Sequence, residues 1–213
     1  MAVYKILKYP HVLLRKKSSP VESINASAKT FIQGMIDTMY AFDGIGLAAP
    51  QVGILKRIIV IDIKTYLENK DLSDWHGSIK FSRAGAVCPI TFPLSLVNPV
   101  ISAHEGMVNF PFDGCLSLPG LEQGKTPRYK FICLEARDAE GTVIKIECEG
   151  ILSICLQHEI DHLEGVLFID HLIEKSDQSD IVADIQEHED DPAERKRLRK
   201  VKPVDARNLG FQF

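Results

Sequence analysis

The sequence predicts an α+β fold, and three observations carry it. Apolar residues recur at spacings of three and four over residues 26 to 42. The same period returns from Gly150 through His162. Between these stretches lie β-branched runs at Arg57 to Ile63 and Leu96 to Ile101, and a strand pair at Lys130 to Arg137 and Val143 to Glu147.

The elements follow in order. Ala28, Phe31, Ile32, Met35, Met39 and Phe42 mark the apolar face of the first helix, with Asn25 as its N-cap. Asp43-Gly44 stops it. Gly44-Ile45-Gly46-Leu47-Ala48-Ala49-Pro50-Gln51 is too rich in Gly and Pro for a regular element. Arg57 to Ile63 is a buried strand. Residues 64 to 95 carry weak signals and read as a long excursion inserted on the surface. Asp138-Ala139-Glu140-Gly141 is a turn, so residues 130 to 148 form a hairpin. The second helix opens at Gly150, and Ile151, Ile154, Cys155, His158 and His162 share one stripe. After Leu172 the chain turns charged, acidic at Glu187, Glu189, Asp190 and Asp191, then basic at Arg195, Lys196, Arg197, Arg199 and Lys200. Residues 1–172 therefore read as one domain and 173–213 as a tail, helical or partly disordered.

Composition sets the class. The chain has 213 residues, 45% apolar and 25% charged, which suits one soluble domain with a sizeable core. A net charge of -4 is too mild to argue for nucleic acid or another strongly charged partner. No apolar run approaches the roughly 20 residues of a membrane span. Met1-Ala2-Val3-Tyr4-Lys5 shows no secretion or transit character. Cys88, Cys115, Cys133, Cys148 and Cys155 form no CxxC pair, and an odd count without a secretion signal predicts reduced thiols in a cytoplasm.

Gln157-His158-Glu159-Ile160-Asp161-His162-Leu163-Glu164-Gly165 carries the chemistry. Histidines four apart on a helix point toward one metal ion, and Glu159 beside them is placed to move protons. A catalytic site of this kind takes a third protein ligand and keeps a position for water. The three-histidine peptidase pattern HExxHxxGxxH fails at Phe168. Thermolysin-like peptidases use a downstream glutamate, for which Glu174 and Glu187 are candidates. The remaining candidate is Cys115, the one cysteine flanked by Pro111, Gly114, Pro119 and Gly120. A structural zinc site would need four ligands, and only three are in view.

Three separated segments together resemble the motifs of the peptide deformylase family: Gly44 to Gln51, Asp113-Gly114-Cys115-Leu116-Ser117, and Gln157 to His162. Their order and spacing agree. Similarity continues through Ile6-Leu7-Lys8-Tyr9-Pro10, Leu14-Arg15, Leu96-Val97-Asn98-Pro99 and Pro127-Arg128, covering residues 4 to 172 outside the excursion. The resemblance implies short antiparallel sheets around a central metal-binding helix, with the N-terminal helix packed outside. It implies hydrolysis of N-formylmethionyl nascent peptides, with release of formate, in a bacterial-type cytoplasm.

It also implies roles. Cys115, His158 and His162 would hold one divalent ion, Fe2+ natively, with Zn2+, Ni2+ or Co2+ as replacements. Glu159 would be the base, and the Gln51 side chain and Leu116 N–H the oxyanion donors. Gly46 N–H would bind the peptide as an added strand. Ile45, Ile151, Ile154 and Cys155 are the candidates for the methionine pocket. The basic run from Arg195 would either touch the ribosome transiently or form a solvated helix face. One departure stands out: the family's second motif begins with Glu, and this chain has Asp113. A carboxylate there would pair with Arg128 and brace the loop. The runner-up function is an HExxH zinc metallopeptidase.

Overall fold

The structure is a computed structural model that describes residues 2–68, 70–121, 125–172, 183, 185 and 202–213. Helix α1 spans Ala26–Ala41. Its cap is the one the sequence predicts, with the Asn25 side chain accepting from the Ala28 amide at 3.0 Å. Phe31, Ile32, Met35 and Met39 form its buried face.

Strand β1 covers Gly46–Ala48 and β2 covers Ile58–Ile61. The Gly- and Pro-rich segment is thus less irregular than expected. Three of its residues pair antiparallel with β2, and a 3-10 turn over Ala49–Val52 follows. All four residues of β2 are buried. Ile59 and Ile61 join the core under the metal-motif helix, while Ile58 and Val60 join the core under α1. This two-sided burial explains why β2 reads as an unbroken apolar run.

The 64–95 excursion holds a short helix α2 at Lys64–Glu68 and a 3-10 turn at Lys70–Trp75. Strands β3 (Ile79–Arg83) and β4 (Ala86–Val87) follow as a hairpin. Strand β5 runs Leu94–Phe110, β6 Thr126–Arg137 and β7 Val143–Glu149. The predicted hairpin is β6–β7. Its turn is built by Asp138 Oδ1, which accepts from the Glu140 and Thr142 amides at 2.9 Å each.

Among the described residues the strands join in one antiparallel sheet, ordered β1-β2-β5-β6-β7-β3-β4. The antiparallel pairing that the resemblance implies runs through one sheet because β5 is 17 residues long and pairs with β2 at its start and β6 beyond. At Asn98 the backbone turns left-handed (φ 52) and the register with β6 shifts. The Asn98 amide bonds both the N–H and C=O of Val21 at 2.8 Å, tying the N-terminal segment to the bend. The β3–β4 hairpin adds to the outer edge of β7.

Helix α3, Gly150–Glu164, packs against β1, β2, β6 and β7. Ile151, Leu152, Ile154, Cys155 and Leu156 enter one core with Ile59, Ile61, Ile132, Leu134 and Ile146.

The charged residues Glu174, Glu187, Glu189, Asp190, Asp191, Arg195, Lys196, Arg197, Arg199 and Lys200 lie outside the described residues. Within the stretch read as a helical or partly disordered tail, residues 202–213 are described, and they lie against the N-terminal segment and α1. Val204 exchanges backbone bonds with Val3 and Lys5 at 2.8 and 2.7 Å. Phe211 and Phe213 close on Phe31 with ring centres 5.0 and 5.3 Å away. Two aromatic rings at the C-terminus cover apolar surface on α1, which charge counting over the preceding stretch does not reveal. No helix among the described residues is long and apolar enough to cross a membrane.

Candidate active site

The site is assembled on α3. Its first residue must be glycine: Gly150 has φ 67, and a Cβ there would meet the Trp75 carbonyl oxygen at 2.2 Å. Gln157 fastens the helix to β6. Its Oε1 accepts from the Tyr129 amide at 2.8 Å, and its Nε2 donates to the Tyr129 carbonyl at 2.9 Å. One turn apart on the buried face, the His158 and His162 rings are 5.0 Å between centres.

Cys115 reaches them from the loop after β5. Its Sγ is 3.2 Å from His162 Nε2, and the ligand atoms of Cys115, His158 and His162 lie within 4.8 Å of one another. The N-terminal segment and the first motif hold that loop. Lys8 Nζ donates to the Leu116 carbonyl at 2.7 Å, and the Tyr9 amide to the Ser117 carbonyl at 2.9 Å. Gln51 Oε1 accepts from the Ala48 amide at 2.7 Å. That leaves its Nε2 turned to Cys115 Sγ at 3.5 Å and Ser117 Oγ at 3.3 Å.

Asp113 sits behind the cluster. Its Oδ1 is 2.7 Å from His158 Nδ1. Its Oδ2 accepts from Arg128 Nη2 at 2.7 Å and Thr126 Oγ1 at 2.9 Å. The brace expected between Asp113 and Arg128 is therefore present, and the shorter carboxylate still spans all three partners. Arg128 continues to Asp161 Oδ2 at 2.5 Å, and His171 Nε2 meets the same oxygen at 2.8 Å. Asp161 is thus committed to two side-chain partners. It anchors the far side of Arg128.

Electrostatics separate the thiols. Burial pushes Cys115 up, but the adjacent His162 and His158 outweigh it and bring the thiol down to about 5. Burial pushes Cys148 up to about 12, and Cys155 rises well above the ordinary value for the same reason, with Glu159 adding to it. Of these three, only Cys115 is disposed to be a thiolate at neutral pH. Burial opposes a charge on His158, yet Asp113 raises its pKa well above the ordinary value. Burial lifts Glu159 to about 7 against the opposing pull of His158 and His162.

Glu159 lies against Gly46, where a Cβ would meet its Oε1 at 2.3 Å. Its Oε2 is buried with no hydrogen-bond partner, and so is His162 Nδ1. The cluster opens into a cleft of about 510 Å³. Ile45, Gly46, Gln51, Leu116, Cys115 and Glu159 line it, with Ile151, Ile154, Cys155 and His158 along the helix side. Every predicted site residue is therefore in or, for His162, at this cleft. Phe168, where the three-histidine peptidases carry a ligand, instead stacks on His158 at 6.2 Å. Glu174 and Glu187 lie outside the described residues.

The donor set fits a divalent ion. His158 Nδ1 is committed to Asp113, which leaves Nε2 to coordinate. A lowered thiol and two imidazoles complete three ligands, and a buried carboxylate stands beside them. Fold and site together define a metal-dependent hydrolase. A family model for polypeptide deformylases matches residues 3–178, and the chain belongs to that family. The peptide deformylase of Desulfitobacterium hafniense is 41% identical over 170 residues, 80% of this chain and 95% of that one. A peptide deformylase structure from Legionella pneumophila is 36% identical with a TM-score of 0.67, covering 95% of this chain and 100% of that one. One from Ehrlichia chaffeensis, in complex with actinonin, is 30% identical with a TM-score of 0.70, covering 90% and 99%.

Sequence reading missed the bond from Asp113 to His158 and the Arg128–Asp161–His171 extension. A carboxylate two residues before a ligand cysteine was the available signal.

Proposed function

We propose that this chain hydrolyses the formamide of N-formylmethionyl nascent peptides, releasing formate and a free amino terminus. The observation that carries this is Glu159: a buried carboxylate raised to about 7, with one unpartnered oxygen, beside Cys115, His158 and His162. Such a group exchanges a proton readily at neutral pH.

A divalent ion held by Cys115, His158 and His162 would supply Lewis acidity, easing ionisation of a water and polarising the formyl oxygen. The ligand softness suits iron(II), zinc, nickel or cobalt, and we take iron(II) as the resident ion from the family resemblance. Glu159 accepts the proton of the attacking water. The oxygen adds to the formyl carbon, the C–N bond breaks, and Glu159 returns the proton to the departing nitrogen. Gln51 Nε2 and the Leu116 N–H donate to the formyl oxygen as it gains negative charge. Loss of one such donor costs on the order of a hundredfold in rate.

Among the described residues strand β1 ends the sheet and its Gly46 lines the cleft, so a peptide added as a strand would pair there with Gly46 as first contact. Ile45, Ile151, Ile154 and Cys155 give the methionine side chain an apolar wall. The basic run at Arg195, Lys196, Arg197, Arg199 and Lys200 is the segment we assign to transient ribosome contact. Reversing those five charges should lower co-sedimentation with ribosomes, and unchanged co-sedimentation would remove that contact.

The test is direct. Metal-loaded protein is incubated with formyl-Met-Ala-Ser, and formate and free amine are followed together. Equal amounts of both are expected. Cleavage of an internal peptide bond without formate would indicate the zinc metallopeptidase instead.

A further inference from the structure

Phe112 stands at the cleft and takes no part in the hydrolysis. Its side chain lines the cleft yet is 60% exposed. Other large apolar side chains are as exposed, but among those described Phe112 is the one that also lines the cleft. The ring is supported from behind. Phe112 meets Phe110 edge to face at 6.0 Å, and Phe110 meets Trp75 edge to face at 4.9 Å.

Trp75 belongs to the 64–95 excursion, which carries none of the three motifs, and Tyr66 from the same excursion also lines the cleft. The excursion is seated firmly on the start of α3. A Cβ on Gly77 would meet the Glu149 carbonyl oxygen at 2.4 Å, and one on Gly150 would meet that of Trp75 at 2.2 Å. The aromatic row therefore runs from an anchored residue, Trp75, to an exposed one, Phe112. It holds an open ring in place without burying it.

A peptide bound as an added strand turns successive side chains to opposite sides. With methionine directed inward to Ile151, Ile154 and Cys155, the next side chain points out to the mouth. We propose that Phe112, backed by Phe110 and Trp75 and flanked by Tyr66, binds the side chain of the residue that follows formyl-methionine and selects aromatic residues there. Edge-to-face and offset contacts between rings provide the preference. The proposal rests on the deformylase reading above.

Steady-state kinetics on metal-loaded enzyme with formyl-Met-Phe-Ser and formyl-Met-Gly-Ser tests it. Wild type should favour the Phe peptide in kcat/KM by roughly tenfold. Phe112→Ala should bring the two peptides to parity, with the loss falling on KM of the Phe peptide. Phe112→Tyr should keep the preference. Equal kcat/KM for both peptides in wild type, or an equal fall for both in Phe112→Ala, overturns the proposal. Formate from neither peptide with wild type removes the deformylase reading itself, and the proposal with it.

Discussion

His158 Nδ1 lies 2.7 Å from Asp113 Oδ1, and this bond joins the metal helix to the loop that carries Cys115. One carboxylate thereby fixes the tautomer of one ligand and the position of another, two residues on. Asp113 is held in turn by Arg128, itself 3% exposed. Asp113→Ala should cost about 1.5–3 kcal/mol, since Arg128 loses this partner and keeps Asp161. Metal affinity should fall by roughly 10–100-fold. Burial alone would raise the Asp113 pKa, but His158 and Arg128 hold it well below 3.8. Its contribution is therefore complete above the unfolded value and fades as pH falls, so the gap between variant and wild type should narrow below about pH 4. Urea unfolding at pH 7 and pH 3 measures it.

The pH dependence of turnover should report Glu159. Its carboxyl is raised to about 7, so the base is protonated below that value and ionised above it. The kcat/KM profile should climb as pH rises through that region and level off above. In Glu159→Gln the residual rate should lack this limb. A limb with the same midpoint in the variant would assign it to another group.

Gly46 is required by the carboxylate it faces. A Cβ would come within 2.3 Å of Glu159 Oε1, so Gly46→Ala must displace the base. Activity should drop by about a hundredfold, since misplacement of about 1 Å is costly. Far-ultraviolet circular dichroism and metal content should stay those of wild type. Full activity would show that Glu159 tolerates the shift.

The C-terminal residues should matter for stability rather than for chemistry. Phe211 and Phe213 cover Phe31, and Val204 bonds to the N-terminal segment. The double substitution Phe211→Ala and Phe213→Ala should lower stability by about 2–4 kcal/mol. The melting temperature should fall while kcat/KM at low temperature holds. An unchanged melting temperature would remove this role.

Much of this arrangement was legible in the residues. The four-residue spacing of His158 and His162 and the apolar stripe before them give helix α3 and its inward face directly. The unbroken apolar run at β2 marked it as a buried strand, and Asn25 gave the cap of α1. Cys115 was different, because no spacing links it to a helix 43 residues on, and it rested on its Gly- and Pro-flanked segment and on the resemblance. The full reach of β5 was hidden because Ser102 to Gly106 is exposed and shows no alternation. Strands β3 and β4 were missed for a related reason: they are short, and β4 is exposed. The Asp113–His158 bond depends on side-chain geometry across 45 residues, which no local pattern encodes.

The central claim is that Cys115, His158 and His162 hold the ion while Glu159 moves the proton. Metal content and formate release, measured on the same preparations of wild type, Glu159→Ala and Cys115→Ala, test it most directly. Wild type should carry one ion per chain and release formate from formyl-Met-Ala-Ser. Glu159→Ala should keep the ion and lose roughly 100-fold or more in rate, while Cys115→Ala should lose both. Undiminished formate release by Glu159→Ala, or a full complement of metal and activity in Cys115→Ala, would contradict the account.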